Sequence, residues 1–486
     1  MTPPEEVAAG RPPVRVFLGV PMAISTRDIL RSGVLDGLTA AGIEVHLFSP
    51  AADQPDFRAE FEAPGVFVHR VLAHPGLAFS LAERASMKLH ALVQSLRCDT
   101  LEILLRPTLS RNPLARGARW VLKLFGRRVQ DGLLAVASWT LVRLSSGAYD
   151  DVFEAYPPDL VLGTRVLTLT PAAGPGGSRA LDRHLLIAAA RRRVHTMVLV
   201  ASWDNLTTAG FFPVVPHRIT VWNEIMLGEA WEVHRIPPER VLVTGAPQHD
   251  VYARTELRSS RHDFFERHGL DSERPLVVYT TQTVGTVPDE PLIAEQIADG
   301  LAERFAGDVQ LLVRLHQLDR MDRFGALTGR VGVALDQAGS ARPGFDDRDF
   351  GQAGLAELAD TLHHADLVVN TASSISIDAT ACGTPVACVR FDALPDQPYE
   401  RSMRRLYDFT HQTRIVNSGG VEMVDSMPEL LDFVKKCMDM PEVNAEGRTR
   451  LLREQCYDVD GRSADRVARA IVDTAAGLKP PFRSHT

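Results

Sequence analysis

Short apolar runs alternate with stretches of helical spacing along the first half of the chain. Residues 14–20 (VRVFLGV) read as a strand, and residues 27–41 place Ile29, Leu30, Val34, Leu35 and Leu38 on one helical face. Gly42 stops that helix before a second strand over 44–48. Strands joined through helices run parallel, and the helices must then cover the sheet, so this opening predicts a doubly wound α/β domain. The same rhythm returns at 159–163, 195–201, 218–222 and 240–244.

A polar stretch over 251–274, rich in Arg, Ser, Asp and His, interrupts the alternation and reads as a linker. A second alternation follows, with strands at 276–280, 309–314, 367–370 and 386–391 and helices at 291–305, 356–364 and 375–382. The pattern predicts two Rossmann-like doubly wound domains facing a central cleft: residues 14–250, with a flexible leader over 1–13, and residues 275–460. An amphipathic helix within 461–480 is expected to pack back on the first domain. Ligands of such sheets bind beyond the carboxyl ends of the strands, so strand-end residues are the ones to examine.

Between about 76 and 146 the strand signal gives way to long helical stretches, an insertion in the first domain. It is basic: no acidic residue occurs from Ile103 through Gln130, while seven Arg and Lys from Arg106 to Arg128 interleave with Leu114, Trp120, Leu122, Leu124 and Phe125. A basic segment at 106–128 of this kind suits peripheral contact with anionic lipid. A solvated basic face over a packed apolar one is the competing expectation.

Composition narrows the class. With 486 residues, 45% hydrophobic and 23% charged, the chain needs more than one core, and its net charge of −8 speaks against nucleic acid as a partner. The five cysteines, Cys98, Cys382, Cys388, Cys437 and Cys456, have neither metal-site nor disulfide spacing, so no metal is expected and a reducing cytoplasm fits. Pro and Glu stand in the leader where a secretory signal needs a basic start and an apolar run, so export is not expected.

The most informative chemistry lies at 366–391. An apolar strand ends at Asn370, Thr371, Ser373 and Ser374 follow, and a helix begins near Ser374 with Asp378 one turn in; Gly383 and Pro385 close it. Backbone N–H groups and hydroxyls at such a turn attract phosphate. This acidic residue, followed five positions later by Gly and then by a second-neighbour Pro, resembles the donor-site helix of GT-B nucleotide-sugar enzymes. The segment is also similar to that of nucleotide-sugar 2-epimerases and CDP-glycerol glycerophosphotransferases. The resemblance implies that Asp378 bonds the nucleotide ribose while Ser373 and Ser374 cradle the diphosphate. No cofactor beyond the activated donor is implied.

Residues 311–320 (LLVRLHQLDR) end a strand in Arg314 and His316, which alternation would aim together at a phosphate. The pair resembles the Arg-x-His-Pro segment of glycerophosphotransferases, with Gln317 in place of Pro, and His316 could act on the leaving diphosphate or as an acid or base. Thr280, Thr281 and Gln282 end another strand as further donor contacts. In the first domain, ASWDNLTTAG over 201–210 resembles a loop of bacterial surface-polysaccharide enzymes. It supplies Asp204 as candidate base for an acceptor hydroxyl and Trp203 and Asn205 as acceptor contacts, although Asx turns account for the same residues. Arg27 and Asp28, above the first strand, are further acceptor candidates, and no G-x-G-x-x-G fingerprint stands there.

The expected activity is transfer of a sugar from a nucleotide diphosphate donor to a carbohydrate or lipid-linked acceptor hydroxyl. Three alternatives stand beside it: phosphotransfer from a CDP-linked polyol, epimerisation or hydrolysis of the nucleotide sugar, and noncatalytic binding of it. The expected place is the cytoplasm, at most peripheral to the inner face of a membrane.

Overall fold

Seven parallel strands build the first sheet in a computed structural model that describes residues 13–70, 81–144, 147, 149–164, 181–337, 339–345, 347–351 and 353–477. They are β1 (Arg15–Gly19), β2 (Glu44–Ser49), β3 (Val66–Arg70), β4 (Leu160–Gly163), β5 (His195–Leu199), β6 (Arg218–Val221) and β7 (Val241–Val243), in the order β3-β2-β1-β4-β5-β6-β7. The second domain contains β8 (Leu276–Thr280), β9 (Gln310–Arg314), β10 (Val333–Asp336), β11 (Ser340–Ala341), β12 (Arg348–Asp349), β13 (Leu367–Asn370), β14 (Val386–Val389) and β15 (Glu422–Val424). Its parallel sheet runs β10-β9-β8-β13-β14-β15, and β11 and β12 form a separate antiparallel hairpin. Strand order reverses between β1 and β4 and again between β8 and β13, which places a ligand-binding crevice at each reversal. Every residue of β8, β9, β13 and β14 is buried, as strands covered by helices on both faces must be.

Three edge strands, β3, β10 and β15, were not expected from the pattern. Edge strands are short: β15 (EMV) has three residues and β10 four. The helix expected over 27–41 is broken: a turn of helix at Ala23–Ser25 widens into a π-turn at Thr26–Leu30, and a new helix runs Val34–Ala40. Gly33, at φ 103°, makes the break, a conformation that side chains beyond glycine resist. The polar 251–274 stretch holds a helix, Arg261–His268, capped by the Ser260 hydroxyl on the Asp263 N–H. Its Phe264 and Phe265 are buried in the core, and the surrounding charge masks these two aromatics in the sequence.

The helical insertion comprises Leu81–Gln94, Asp99–Arg111, Pro113–Leu124 and Arg127–Leu144. The C-terminal helix Ser463–Ala475 lies on Val34–Ala40, with Ala464, Val467, Ala468 and Ile471 packed among the buried side chains of β1, β2 and that helix. The close approach depends on Gly37, where a Cβ would stand 2.7 Å from the Ala468 Cβ.

The two domains meet through a clasp. The β11–β12 arm reaches from the second domain to the first, where the Asp347 carboxylate accepts the Ala23 and Ile24 N–H groups, both at 2.9 Å. Asp349 pairs with Arg31, which Glu60 also holds, and Arg342 bridges Asp349 and Asp56. Gly344 at the arm's tip has φ 96°, and a Cβ there would be 2.3 Å from the Pro50 carbonyl oxygen, so only glycine lets the arm seat.

The returning helix is fixed by one carboxylate: Asp250 accepts the Ser463 N–H at 2.9 Å and the Ala464 N–H at 2.8 Å. Asp250→Ala leaves two buried donors unpaired and is expected to cost about 1–3 kcal/mol. The urea midpoint should fall with an unchanged slope. An unchanged midpoint would mean that the helix is held by its apolar face alone.

Candidate active site

The strand ends of the two sheets converge where Arg27, from the π-turn after β1, meets residues of the second domain. Arg27 is oriented by Asp28, whose Oδ1 accepts its Nε–H at 2.6 Å, and by the Phe350 ring, 5.3 Å from the guanidinium. Asp28 itself is buried, so it serves to aim Arg27. Across the cleft stands His316, just beyond the end of β9. Burial, opposed by Asp319 and reinforced by the Arg27 charge, lowers its pKa from 6.5 to about 4. The imidazole is therefore neutral at physiological pH. Its Nδ1 accepts the Leu318 N–H at 3.1 Å, which leaves the proton on Nε2. His316 thus offers a neutral N–H donor and not a basic nitrogen.

Beneath these two lies the turn from β13 into the helix Ile375–Ala381. Ala372 has φ 47°, a left-handed conformation that turns successive N–H groups to one side. The turn is held from behind: the Gln282 amide donates to the Thr371 and Ala372 carbonyls, both at 3.0 Å, and Asn370 accepts the Ser373 N–H. Thr280, Thr371 and Asn370 are buried, and the Thr281 hydroxyl accepts the His316 N–H at 2.9 Å. Of these donor-side candidates, Gln282 and Asn370 therefore hold the turn and Thr281 seats His316. Ser373 and Ser374 are partly exposed, and among the described residues nothing accepts from the Ser374 N–H.

Asp378 faces the same space. Its Oδ1 accepts the Tyr252 hydroxyl at 2.8 Å and lies 3.2 Å from His249 Nε2, while among the described residues nothing donates to its Oδ2. Burial opposes charging of His249, but Cys456 at 3.4 Å and Asp378 raise its pKa, so an imidazolium pairs with the carboxylate. His249 and Tyr252 were missed in the sequence. Their three-residue spacing on the turn Pro247–Ala253, just after β7, is the one signal that pointed to them.

Four candidates lie elsewhere. Arg314 does not emerge beside His316: the strand ends at Arg314, and its buried guanidinium pairs with Asp336 on β10 and bonds the Thr361 hydroxyl at 3.1 Å. Asp204 accepts from the Ser202 and Thr208 hydroxyls at 2.6 and 2.8 Å and caps no backbone N–H, and its titratable neighbours are Glu229 and His411. Trp203 is buried edge-on against His411, 4.8 Å between rings, with Asn205 also buried beside it. This group belongs to a second interdomain contact, with the helix Thr410–Asn417.

Among the described residues, the one grouping with metal-like spacing is the exposed set His262, Asp263 and Glu266, on a helix remote from this cleft.

Comparison with known proteins places this geometry in a fold. No family model and no curated protein matches the chain. Solved structures do. The S. aureus MnaA–UDP co-structure is 10% identical, with a TM-score of 0.54, covering 97% of this chain and 100% of that one. UDP-GlcNAc 2-epimerase from Neisseria meningitidis, bound to UDP-GlcNAc, is 12% identical at TM-score 0.51, covering 95% and 99%. The UDP-GlcNAc 2-epimerase of Methanocaldococcus jannaschii is 11% identical at 0.52, covering 94% and 99%.

His316 gives a pH test. Its pKa is about 4 when folded against 6.5 when free, so the unfolded chain binds more protons in that window and acidification costs stability. His316→Gln is expected to reduce the steepness of that loss by about one proton, read from urea midpoints at a series of pH values. An unchanged steepness would contradict a buried, neutral His316. Together, two parallel-sheet Rossmann-like domains with a cleft between their strand ends give the chain a GT-B-like fold.

Proposed function

We propose that the chain binds a nucleoside diphosphate sugar across this cleft and transfers the sugar to an acceptor hydroxyl. The observation that carries the reading is a fixed cation, Arg27, close to both a neutral N–H donor, His316, and the carboxylate of Asp378, which stands in the helix after the Ser373–Ser374 turn. That set suits a diphosphate, whose charge grows as the bond from the sugar's anomeric carbon to the phosphate oxygen breaks. The free oxygen of Asp378 is the acceptor for a ribose hydroxyl, and its fixed bonds to Tyr252 and His249 keep it aimed. His316, with its Nε2 protonated and its pKa low, stabilises the leaving group by hydrogen bonding and does not shuttle the proton.

A second reading, epimerisation of the nucleotide sugar in the same site, is favoured by two of the solved structures of like fold, which are UDP-GlcNAc 2-epimerases. The two readings separate by their need for an acceptor. Transfer releases nucleoside diphosphate only when an acceptor is supplied, whereas epimerisation changes the sugar of the donor alone, as seen by proton NMR.

Binding comes first. UDP, CDP, GDP and ADP are compared by thermal shift, and at least one is expected to raise the melting temperature. Arg27→Gln should weaken that ligand about ten- to a hundredfold, the scale of a lost hydrogen bond to a charged group. A folded sample that responds to no nucleoside diphosphate overturns both readings, and a ligand bound with no turnover of its sugar derivative points to a binding protein instead.

A further inference from the structure

The helical insertion turns its apolar side chains outward. Leu114, Trp120, Leu124, Val136, Trp139 and Leu144 are each at least 60% exposed. Among the described residues outside these four helices, Val331 alone of the large apolar side chains is as exposed. Such exposure has a pattern. On Pro113–Leu124, Leu114, Val121 and Leu124 recur at helical spacing, and on Arg127–Leu144, Val129, Leu133 and Val136 do the same. A second stripe, Leu122, Gln130, Ala137 and Leu141, is the buried one. Both helices are therefore apolar on two sides, one side packed and one side bare.

Cations surround the bare side. Arg106, Arg111, Arg116, Lys123, Arg127 and Arg128 are exposed, and none has an ion-pair partner among the described residues. Asp131, the one acidic residue between Ile103 and Leu144, is already held by Arg97 at 2.6 Å and by Arg235 at 3.4 Å. Arg119 is likewise spent internally, on Glu102 and the Ser95 carbonyl. No helix among the described residues is long and apolar enough to cross a membrane, so the surface suits lying on a bilayer.

We infer that this face of Pro113–Leu124 and Arg127–Leu144 docks on an anionic phospholipid surface, its Trp and Leu side chains entering the headgroup boundary and its Arg and Lys pairing with lipid phosphates. Charge complementarity chooses lipid over a second copy of the chain: two copies face to face would bring like cations together around the apolar stripe, whereas an anionic bilayer neutralises them. Tryptophan supports the same choice, because its amphipathic ring favours the headgroup level. The insertion also touches the second domain, where the Thr100 hydroxyl accepts the Thr410 N–H at 2.9 Å, so docking holds both halves of the cleft beside the membrane.

The test is flotation of the full chain with vesicles of phosphatidylcholine alone and of phosphatidylcholine mixed equally with phosphatidylglycerol. The chain should float with the mixed vesicles only, and raised salt should weaken that binding. Arg116→Glu with Lys123→Glu should lower the partition coefficient at least about tenfold, and Trp120→Ala with Trp139→Ala should also lower it. All four sites are solvent-exposed, and circular dichroism checks that the variants fold. Equal or absent binding to the two vesicle types overturns the inference. So does a dimer that the Trp120 and Trp139 changes dissociate in the absence of any vesicle binding, which would make a second copy the occupant.

Discussion

The cleft has its width because two carboxylates of one domain are spent on the other. Asp347 satisfies two N–H groups at the start of the helix after β1, and Asp349 is buried between Arg31 and Arg342. Burial pushes the Asp349 pKa up, but its hydrogen bonds and charge contacts with Arg31 outweigh that and lower it. Separating the domains would expose apolar contacts such as Phe345 among the first-domain side chains, and would leave Arg31 with Glu60 alone. Removing one partner of such a buried pair is costly because the other charge stays behind. The clasp also fixes Phe350, on which the Arg27 guanidinium rests, so closure and the aim of the cleft's main cation are one event.

A different logic holds the domains together at the chain crossings. There the chain crosses between domains twice, at Pro247–Ala253 and just before Ser463–Ala475, and the crossings are tied by Asp250 and by the row Cys456, His249, Asp378. Asp378 belongs to the second-domain helix that faces the proposed nucleotide. The carboxylate that would read a ribose is therefore also the one that anchors the crossing, and its two oxygens divide those tasks.

Much of this was legible in the sequence, and for identifiable reasons. Strands such as 276–280 and 367–370 are buried on both faces, so their unbroken apolar runs and following helices announce themselves, and the turn 370–378 was found through its Ser/Thr run and Gly–Pro closure. What failed depended on partners distant in the chain. Arg314 and His316 were expected to point together, yet Arg314 has a carboxylate waiting on β10, an edge strand whose pattern is too short to read. Asp204 looks identical in sequence whether it accepts from neighbouring hydroxyls or takes a proton. The clasp strands β11 and β12 have no hydrophobic period at all; what seats them is the surface they land on.

The central claim is that one diphosphate bridges the first-domain Arg27 turn and the second-domain Ser373–Asp378 turn. Hydrogen exchange of the full chain with and without UDP measures this directly, since both turns carry N–H groups at the cleft. Protection should rise together over residues 22–31 and 372–378, and over the arm at 347–350 that closes on them. Protection confined to one domain, or raised only at the Asp204 loop and the helix Thr410–Asn417, would contradict it.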